Sequence, residues 1–588
     1  MNESAELSLS EPHTQIRQSP ILPWRWVSVF IAISASLILF STWERRYDIF
    51  ADGISYLDMA RYLSQGDLTV LFHPYWSSLY PAAIAIGLKA FSGTRMSEIE
   101  IAHIVNGLFA LVALASFTFF VKELFRLTSS QLTGGEQVNP RGRLALAYGL
   151  FLLGVLKMIG VGIVTPDLAV AAIVFLAAGL GCRLASHLGH FRTAVCLGLV
   201  LGLGYFAKAP MLPLGVLLLL LLGLPKIGPP VRRRYLALAG AVFALIVAPY
   251  IAILGQRQHK FTFGESGYLN YAWHVQQSVP RYFGWANPSQ DAGVPTHPVH
   301  LLGSNPMVYE FAAPAPGTFP LWYDPSYFHQ GLRLKFDARK LIMRLRFAPQ
   351  KLGLAFGKFF LPLFAGIGIL AILAGRRLLT LRLAAPWLAI WSVIAAFTYA
   401  LLILEDRYIG PFLAILFMLA FDAVASVGPE KRQKLRNLTI IATAVCLFLP
   451  FLRYEFEDLH RAPSPENDGL LHMTVAQHLS ELGLRPGDKI AVLGLPFDVY
   501  FAHLAQLRIA AYIGDEVEND DLESTEVLDD SYWALGAKDL GSLRRILAEH
   551  GIKAIVTSDR CDFAIDRGWL SLGTNRYCAL LIDSLGRS

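Results

Sequence analysis

Four ionisable groups stand in apolar surroundings and could do chemistry together. Asp52 lies in "ADGISYLDMA", Asp167 in "VTPDLAV", Lys208 in "YFAKAPML", and Arg407, behind Glu405 and Asp406, in "LLILEDRYIGP". A positioned carboxylate can take the proton of an attacking hydroxyl or hold a cation, whereas lysine and arginine suit a phosphate. Each also has a structural reading. Asp52, ahead of Gly53 and Ile54, fits a helix N-cap, and Asp58 is spaced to pair with Arg61 on a helix surface. Thr165 as N-cap, Pro166 at N1 and Asp167 in the first turn make a helix start. A single Lys208 could snorkel. Several ionisable groups at one membrane level read more readily as a site.

The elements that must position these groups are membrane helices. The 588 residues are 54% hydrophobic and 16% charged, where a soluble domain carries about 25% charge; the mean hydropathy is +0.45. Spanning a bilayer takes roughly 20 apolar residues. The hydropathy predicts about 11 transmembrane helices, near 26–43, 101–121, 144–162, 167–186, 193–209, 211–226, 236–254, 353–374, 383–403, 409–427 and 437–453. The run "YPAAIAIGLKAF", 80–91, is too short to cross and is expected as a juxtamembrane or re-entrant helix. With a cytoplasmic N-terminus, this count puts Lys122, Arg126, Arg141, Arg143, Arg183, Arg192, Lys226, Arg232–Arg234, Arg376, Arg377, Arg382, Lys431, Arg432, Lys434 and Arg436 on the inner side. That is the positive-inside pattern, and it accounts for the net charge of +6 without nucleic acid, for which no motif exists.

The same parity places the loop 44–100, the large loop 255–350 and the tail 454–588 on the outer face, with residues 1–25 a cytoplasmic tail and 26–453 the membrane domain. The first span has no small-residue cleavage site after it and is expected as an uncleaved signal anchor. In the first loop Tyr56, Met59, Ala60 and Leu63 form one apolar helical stripe. Asp48, Asp58 and Asp67 are expected as surface charge. In the tail, "GDKIAVLGL", "LRIAAYIG" and "GIKAIVTS" read as short buried strands alternating with helical "MTVAQHLSELG" and "LGSLRRILAEHG", which predicts a small α/β domain. Cys182, Cys196 and Cys446 lie in or beside apolar spans and are expected as small core residues; Cys561 and Cys578 could pair if the tail is in an oxidising compartment. His297 and His300 fall short of the three protein ligands a zinc site needs. Glu265, Asp324 and His329 in the large loop are candidate acceptor contacts.

The order of these motifs resembles the GT-C superfamily of integral-membrane glycosyltransferases, nearest the protein O-mannosyltransferase and aminoarabinose lipid A transferase branch. The likeness spans roughly 26–430: an Asp early in the first outer loop, a "HPYWSSLYP" segment leading into an interfacial helix, "TPD" in the second outer loop, a Lys–Ala–Pro break, and "EDRY" followed by a proline entering a late span. Two positions depart from that pattern. Gly53 follows Asp52 where an acidic pair is common, and Ser78 replaces a proline.

The resemblance implies a polyprenyl-phosphate-linked sugar donor and transfer on the outer face, typically with inversion, with Asp52 as the general base or acceptor-positioning group. On this reading Lys208 and Arg407 bind the lipid phosphate, Asp167 and Glu405 orient them or hold a divalent cation, and Tyr56, Trp76 and Tyr408 contact sugar or isoprenoid. The acceptor would be a glycan, lipid or protein, and the location a bacterial cytoplasmic membrane. A transporter or flippase for a lipid-linked glycan is the alternative; such folds tend to show internal repeats and midplane charges, and this sequence shows no repeat.

Overall fold

In a computed structural model the chain is a bundle of long helices with a mixed sheet at one end. The structure describes residues 23–131, 139–186, 190–229, 231–281, 285–286, 291–311, 316–459, 468–494, 499–518, 525–528, 530–558, 560–565, 567–573 and 576–582. Most of the expected N-terminal tail therefore lies outside the described residues.

The first half comprises α1 (Trp24–Glu44), α2 (Ala51–Ser64), α3 (Leu79–Ala90), α4 (Glu98–Gln131), α5 (Pro140–Leu152, continuing as a π-helical stretch Leu153–Ile159), α6 (Asp167–Ala185), α7 (Phe191–Ala207), α8 (Met211–Gly223) and α9 (Arg233–Gln258). Short helices α10 (Ser266–Tyr271), α11 (Pro320–Tyr323) and α12 (Pro325–Phe328) follow. Then come α13 (Ala338–Ala374), α14 (Pro386–Leu402), α15 (Asp406–Ser426) and α16 (Gln433–Leu459). All eleven expected spans fall on helices. Among the described residues seven helices are long and apolar enough to cross a membrane: Trp24–Glu44, Glu98–Thr128, Pro140–Ile159, Asp167–Ala185, Arg233–Gln258, Phe360–Thr380 and Asp406–Ser426. Helices α3, α7, α8 and α14 are shorter and apolar.

Helix α4 lies along α6, α7 along α9, and α15 along α14 and the π-helical end of α5. The last contact is a glycine crossing. A Cβ on Gly410 would come 2.5 Å from the Gly154 carbonyl oxygen, and one on Gly154 would come 2.9 Å from that of Gly410. Only bare backbone permits this approach, and it fixes the start of α15, where Arg407 stands. Cys182 is buried as expected, but Cys196 and Cys446 lie on exposed helix faces. In a membrane bundle an apolar span has a lipid-facing side, so apolar context does not imply contact with protein.

The tail supplies α17 (Asp468–Glu481), α18 (Tyr500–Leu504) and most of a seven-stranded sheet. With β1 (His300–Ser304), β2 (Met307–Glu310), β3 (Lys489–Leu493), β4 (Arg508–Ile513), β5 (Asp515–Glu518), β6 (Thr525–Leu528), β7 (Ile552–Thr557), β8 (Leu570–Ser571) and β9 (Cys578–Leu581), the order is β1-β2-β4-β3-β7-β9-β8, and β5-β6 form a separate pair. The three strands expected from sequence are the parallel centre, β4-β3-β7. Their near-continuous burial reflects layers on both faces. The edge hairpin β1-β2 comes from the large loop, some 180 residues earlier by number than β3, and pairs antiparallel with β4 through Val308↔Ile513. Cys561 and Cys578 are disulfide-bonded, tying the segment after β7 to β9.

Candidate active site

The end of the bundle nearest the sheet brings together Asp52, Asp167, Lys208 and Arg407. Asp52 sits in the first turn of α2, whose N-cap is Phe50. The capping reading of Asp52 is therefore corrected: the chain enters the helix two residues earlier, which turns the carboxylate toward α15. Arg407, in the first turn of α15, donates from Nη2 to Asp52 Oδ2 at 3.1 Å, and its Nε lies 3.8 Å from Asp167 Oδ2. Lys208 ends α7 in extended backbone, and its Nζ donates to Asp167 Oδ1 at 2.5 Å. Helix α6 begins at Asp167 with Pro166 as its N-cap, one residue later than expected; Thr165 Oγ1 donates to Asp167 Oδ2 at 3.0 Å instead of capping the helix. Asp167 is buried at 2% exposure, while the side chains of Asp52 and Lys208 keep 17% and 19%. Asp167 thus anchors two cations from the inside, and Asp52 and Lys208 face the accessible side.

Tyr408 lies in the same site. Lys208 Nζ stands 3.4 Å from its ring centroid, and Arg407 Nη2 donates to its hydroxyl at 3.3 Å. The Arg407 guanidinium also lies over Phe50 at 5.2 Å. Glu405 is the N-cap residue of α15 and adds negative charge beside Arg407. Tyr399 of α14, not singled out by the sequence, packs against Tyr408 at 5.2 Å between ring centroids.

Gly53 explains a departure noted in the sequence. A Cβ there would stand 2.9 Å from Val164 Cβ, so α2 presses its backbone onto the segment preceding Asp167. A second carboxylate at this position would hold the two apart. The approach brings Asp52 and Asp167 to neighbouring nitrogens, Nη2 and Nε, of one guanidinium.

Tyr56 and Trp76 are buried beside the site in an aromatic cluster. Tyr56 meets Trp76 and Tyr80 edge-on at 5.1 and 5.3 Å, and Trp76 Nε1 donates to the Tyr323 carbonyl at 2.9 Å. Burial, and then the charges of Asp52 and Asp167, push the Tyr56 phenol well above its ordinary pKa, which keeps it neutral. The four residues of the expected apolar stripe on α2 are all buried.

Asp58 requires a correction. It is buried at 6% exposure, and its partner is His503 of the tail, whose Nδ1 lies 2.7 Å from Asp58 Oδ1. Thr318 donates its backbone N–H to Asp58 Oδ2 at 2.7 Å and its hydroxyl to Oδ1 at 2.9 Å. Arg61 reaches Glu98 Oε2 at 2.5 Å and does not pair with Asp58. Asp67 is exposed and accepts from the Thr69 N–H at 2.9 Å; Asp48 lies near Arg45 at 3.5 Å. The loop candidates lie elsewhere and have local partners. Glu265 pairs with Lys260 at 2.8 Å, and Asp324 caps α12. His329 is buried against the Pro325 carbonyl, and burial lowers its pKa. His297 stacks on Tyr327, and His300 lies 3.5 Å from Glu310.

No family model and no curated protein matches the chain. Solved structures do. An oligosaccharyltransferase from Archaeoglobus fulgidus, in complex with Zn and sulfate, aligns over 91% of this chain and 68% of its own at 13% identity, with a TM-score of 0.51. The chain has the GT-C fold. The same archaeal protein tethered to an acceptor peptide containing the NVT sequon aligns over 91% and 69% at 12% identity, TM-score 0.50. ArnT from Cupriavidus metallidurans, in the apo state, aligns over 95% and 98% at 13% identity, TM-score 0.48.

In this fold the donor set does not suit a divalent cation. Among the described residues no three His, Cys, Asp or Glu groups converge on one point, and Asp52 and Asp167 already face Arg407 and Lys208. No chemical step is assigned to a metal.

Proposed function

We propose that the protein is a membrane glycosyltransferase that moves a sugar from a polyprenyl-phosphate-linked donor to an acceptor hydroxyl of a glycan, lipid or protein on the outer face of a bacterial cytoplasmic membrane. The observation that carries this reading is the alternation Asp52–Arg407–Asp167–Lys208 at the sheet end of the bundle. Glycosyl transfer from a phosphate ester needs a base for the acceptor and positive charge for the departing phosphate. Asp52, the more accessible carboxylate, would take the acceptor proton as its oxygen bonds to the anomeric carbon. As the bond from that carbon to the phosphate oxygen breaks, the charge left on the phosphate falls to Lys208 and Arg407. Asp167 holds those cations in place, so they need not reorganise during the reaction. Tyr408 would pack beside the phosphate–sugar junction. The Cys561–Cys578 disulfide supports an oxidising side for the tail, in keeping with an N-terminus inside and a tail outside.

The test is transfer in detergent with purified protein, a polyprenyl-phosphate sugar and extracted envelope acceptors. Transfer without a membrane gradient separates an enzyme from a transporter. Asp52→Asn should lower the rate by roughly 10²–10⁴-fold, the usual range for a general base, in a protein that remains folded although Arg407 loses one of its two carboxylates. Near-wild-type transfer by that variant would remove Asp52 from the catalytic role.

A further inference from the structure

Helix α2 is held at two places on two sides. Asp52 and Asp58 are six residues apart, so at 1.5 Å and about 100° per residue they stand roughly 9 Å apart along the axis and point in different directions. Asp52 meets Arg407 of the bundle, and Asp58 meets His503 of the tail. His503 is fully buried on α18, which packs against α2. Its Nε2 contacts Glu98 Oε1 in the first turn of α4, while its Nδ1 contacts Asp58. Both partners are carboxylates, and an ionised carboxylate can only accept, so against two ionised partners the ring makes both contacts with a proton on each nitrogen. The two carboxylates lie on opposite edges of the ring and cannot share one ion.

The remaining groups around the ring complete the set. Arg61 from α2 holds the other oxygen of Glu98, and Thr318 of the large loop donates twice to Asp58. Arg95 ahead of α4 donates from Nη1 to the His503 carbonyl at 3.1 Å, and the same nitrogen lies 3.2 Å from the ring's Nε2, a like charge that the two carboxylates must outweigh. Tyr62 of α2 accepts from the Gly317 N–H beside Thr318, and Tyr500 of α18 stacks on the His503 ring. Four separate chain segments therefore meet at one imidazolium.

We infer that His503 is a positioning residue for the reaction: through Asp58 and Glu98 it locks α2 against α4, and so fixes where the Asp52 carboxylate stands relative to Arg407. This rests on the reading of Asp52 as the acceptor-activating group. It gives the tail a part in the active site, since the lock closes only when α18 is docked. Burial opposes the charge on His503, but Glu98 and Asp58 outweigh it and lift the pKa to about 9 from an ordinary 6.5. A folded-state pKa above the unfolded one means the lock is complete below about 6.5 and is lost as pH rises through about 9.

The experiment is hydrogen–deuterium exchange on the full-length protein in nanodiscs, comparing wild type with His503→Leu and following residues 51–64. Strands β3, β4 and β7 report whether the sheet stays folded. In the wild type, α2 protection corrected for intrinsic exchange should fall several-fold as pH rises from neutral through about 9, with the strands unchanged. In His503→Leu, α2 should exchange faster already at neutral pH and lose that pH response. A flat wild-type profile across this range overturns the proposal whether or not the variant folds, as does unchanged α2 protection in a folded variant. In the transfer assay the variant should lose on the order of 10²-fold in kcat, the scale of a misplaced reacting group, with the donor KM unchanged. If wild-type protein transfers no sugar while α2 still responds, the function reading fails and the mechanical link stands.

Discussion

The Asp167–Lys208 pair offers a double-mutant cycle whose outcome follows from its geometry. At 2.5 Å, with Asp167 at 2% exposure, two unit charges attract by roughly 7 kcal/mol at an effective dielectric of about 20. Desolvation offsets much of that gain, but removing one partner leaves the other buried and uncompensated, which typically costs about 3–5 kcal/mol. Lys208 retains 19% exposure and can reach water, so each single variant, Asp167→Asn or Lys208→Met, should lose about 3 kcal/mol. The double variant removes both charges and should lose well under the sum, again about 3 kcal/mol, because no uncompensated lysine or aspartate is left. The coupling is therefore about 3 kcal/mol, reduced in practice because Asp167 also faces Arg407 at 3.8 Å. Equilibrium unfolding in mixed detergent–SDS micelles, followed by tryptophan fluorescence, measures all four corners. A coupling within about 0.5 kcal/mol of zero, the additivity expected of independent sites, would refute the claim that Asp167 anchors Lys208.

Two further outcomes follow. Gly53→Ala should destabilise by about 1 kcal/mol net, since overpacking costs about 1–3 kcal/mol and helix propensity returns about 1. Its transfer should fall more than its stability, because α2 is pushed off the buried Val164, as thermal melts and transfer rates would show. Removing the disulfide with Cys561→Ser and Cys578→Ser should cost about 3 kcal/mol for a loop of this length, seen as an earlier thermal transition whose effect is greatest on exchange in β7 and β9.

The sequence by itself determined the helices, because crossing a bilayer demands long apolar runs whose backbone is satisfied internally. It also determined the three central strands, whose short apolar runs are set off by glycines. Asp52, Asp167, Lys208 and Arg407 were legible as one group because counting spans puts their chain positions at the same end of the bundle. Tertiary structure alone decided who holds whom. Asp58 and Arg61 look like a surface pair at helical spacing, yet Asp58 is bound by a histidine 445 residues later and Arg61 by Glu98. Nothing in "YFAHLAQ" marks His503, because a buried imidazole differs from a surface one only in what surrounds it. The hairpin β1-β2 has weak burial of its own and becomes structure by pairing with β4. Gly53 reads as a lost carboxylate in the sequence, whereas in the fold it is the space that Val164 occupies. Local pattern records which face of an element is apolar; contacts between segments hundreds of residues apart depend on the whole packing, and that is where the geometry of this site is set.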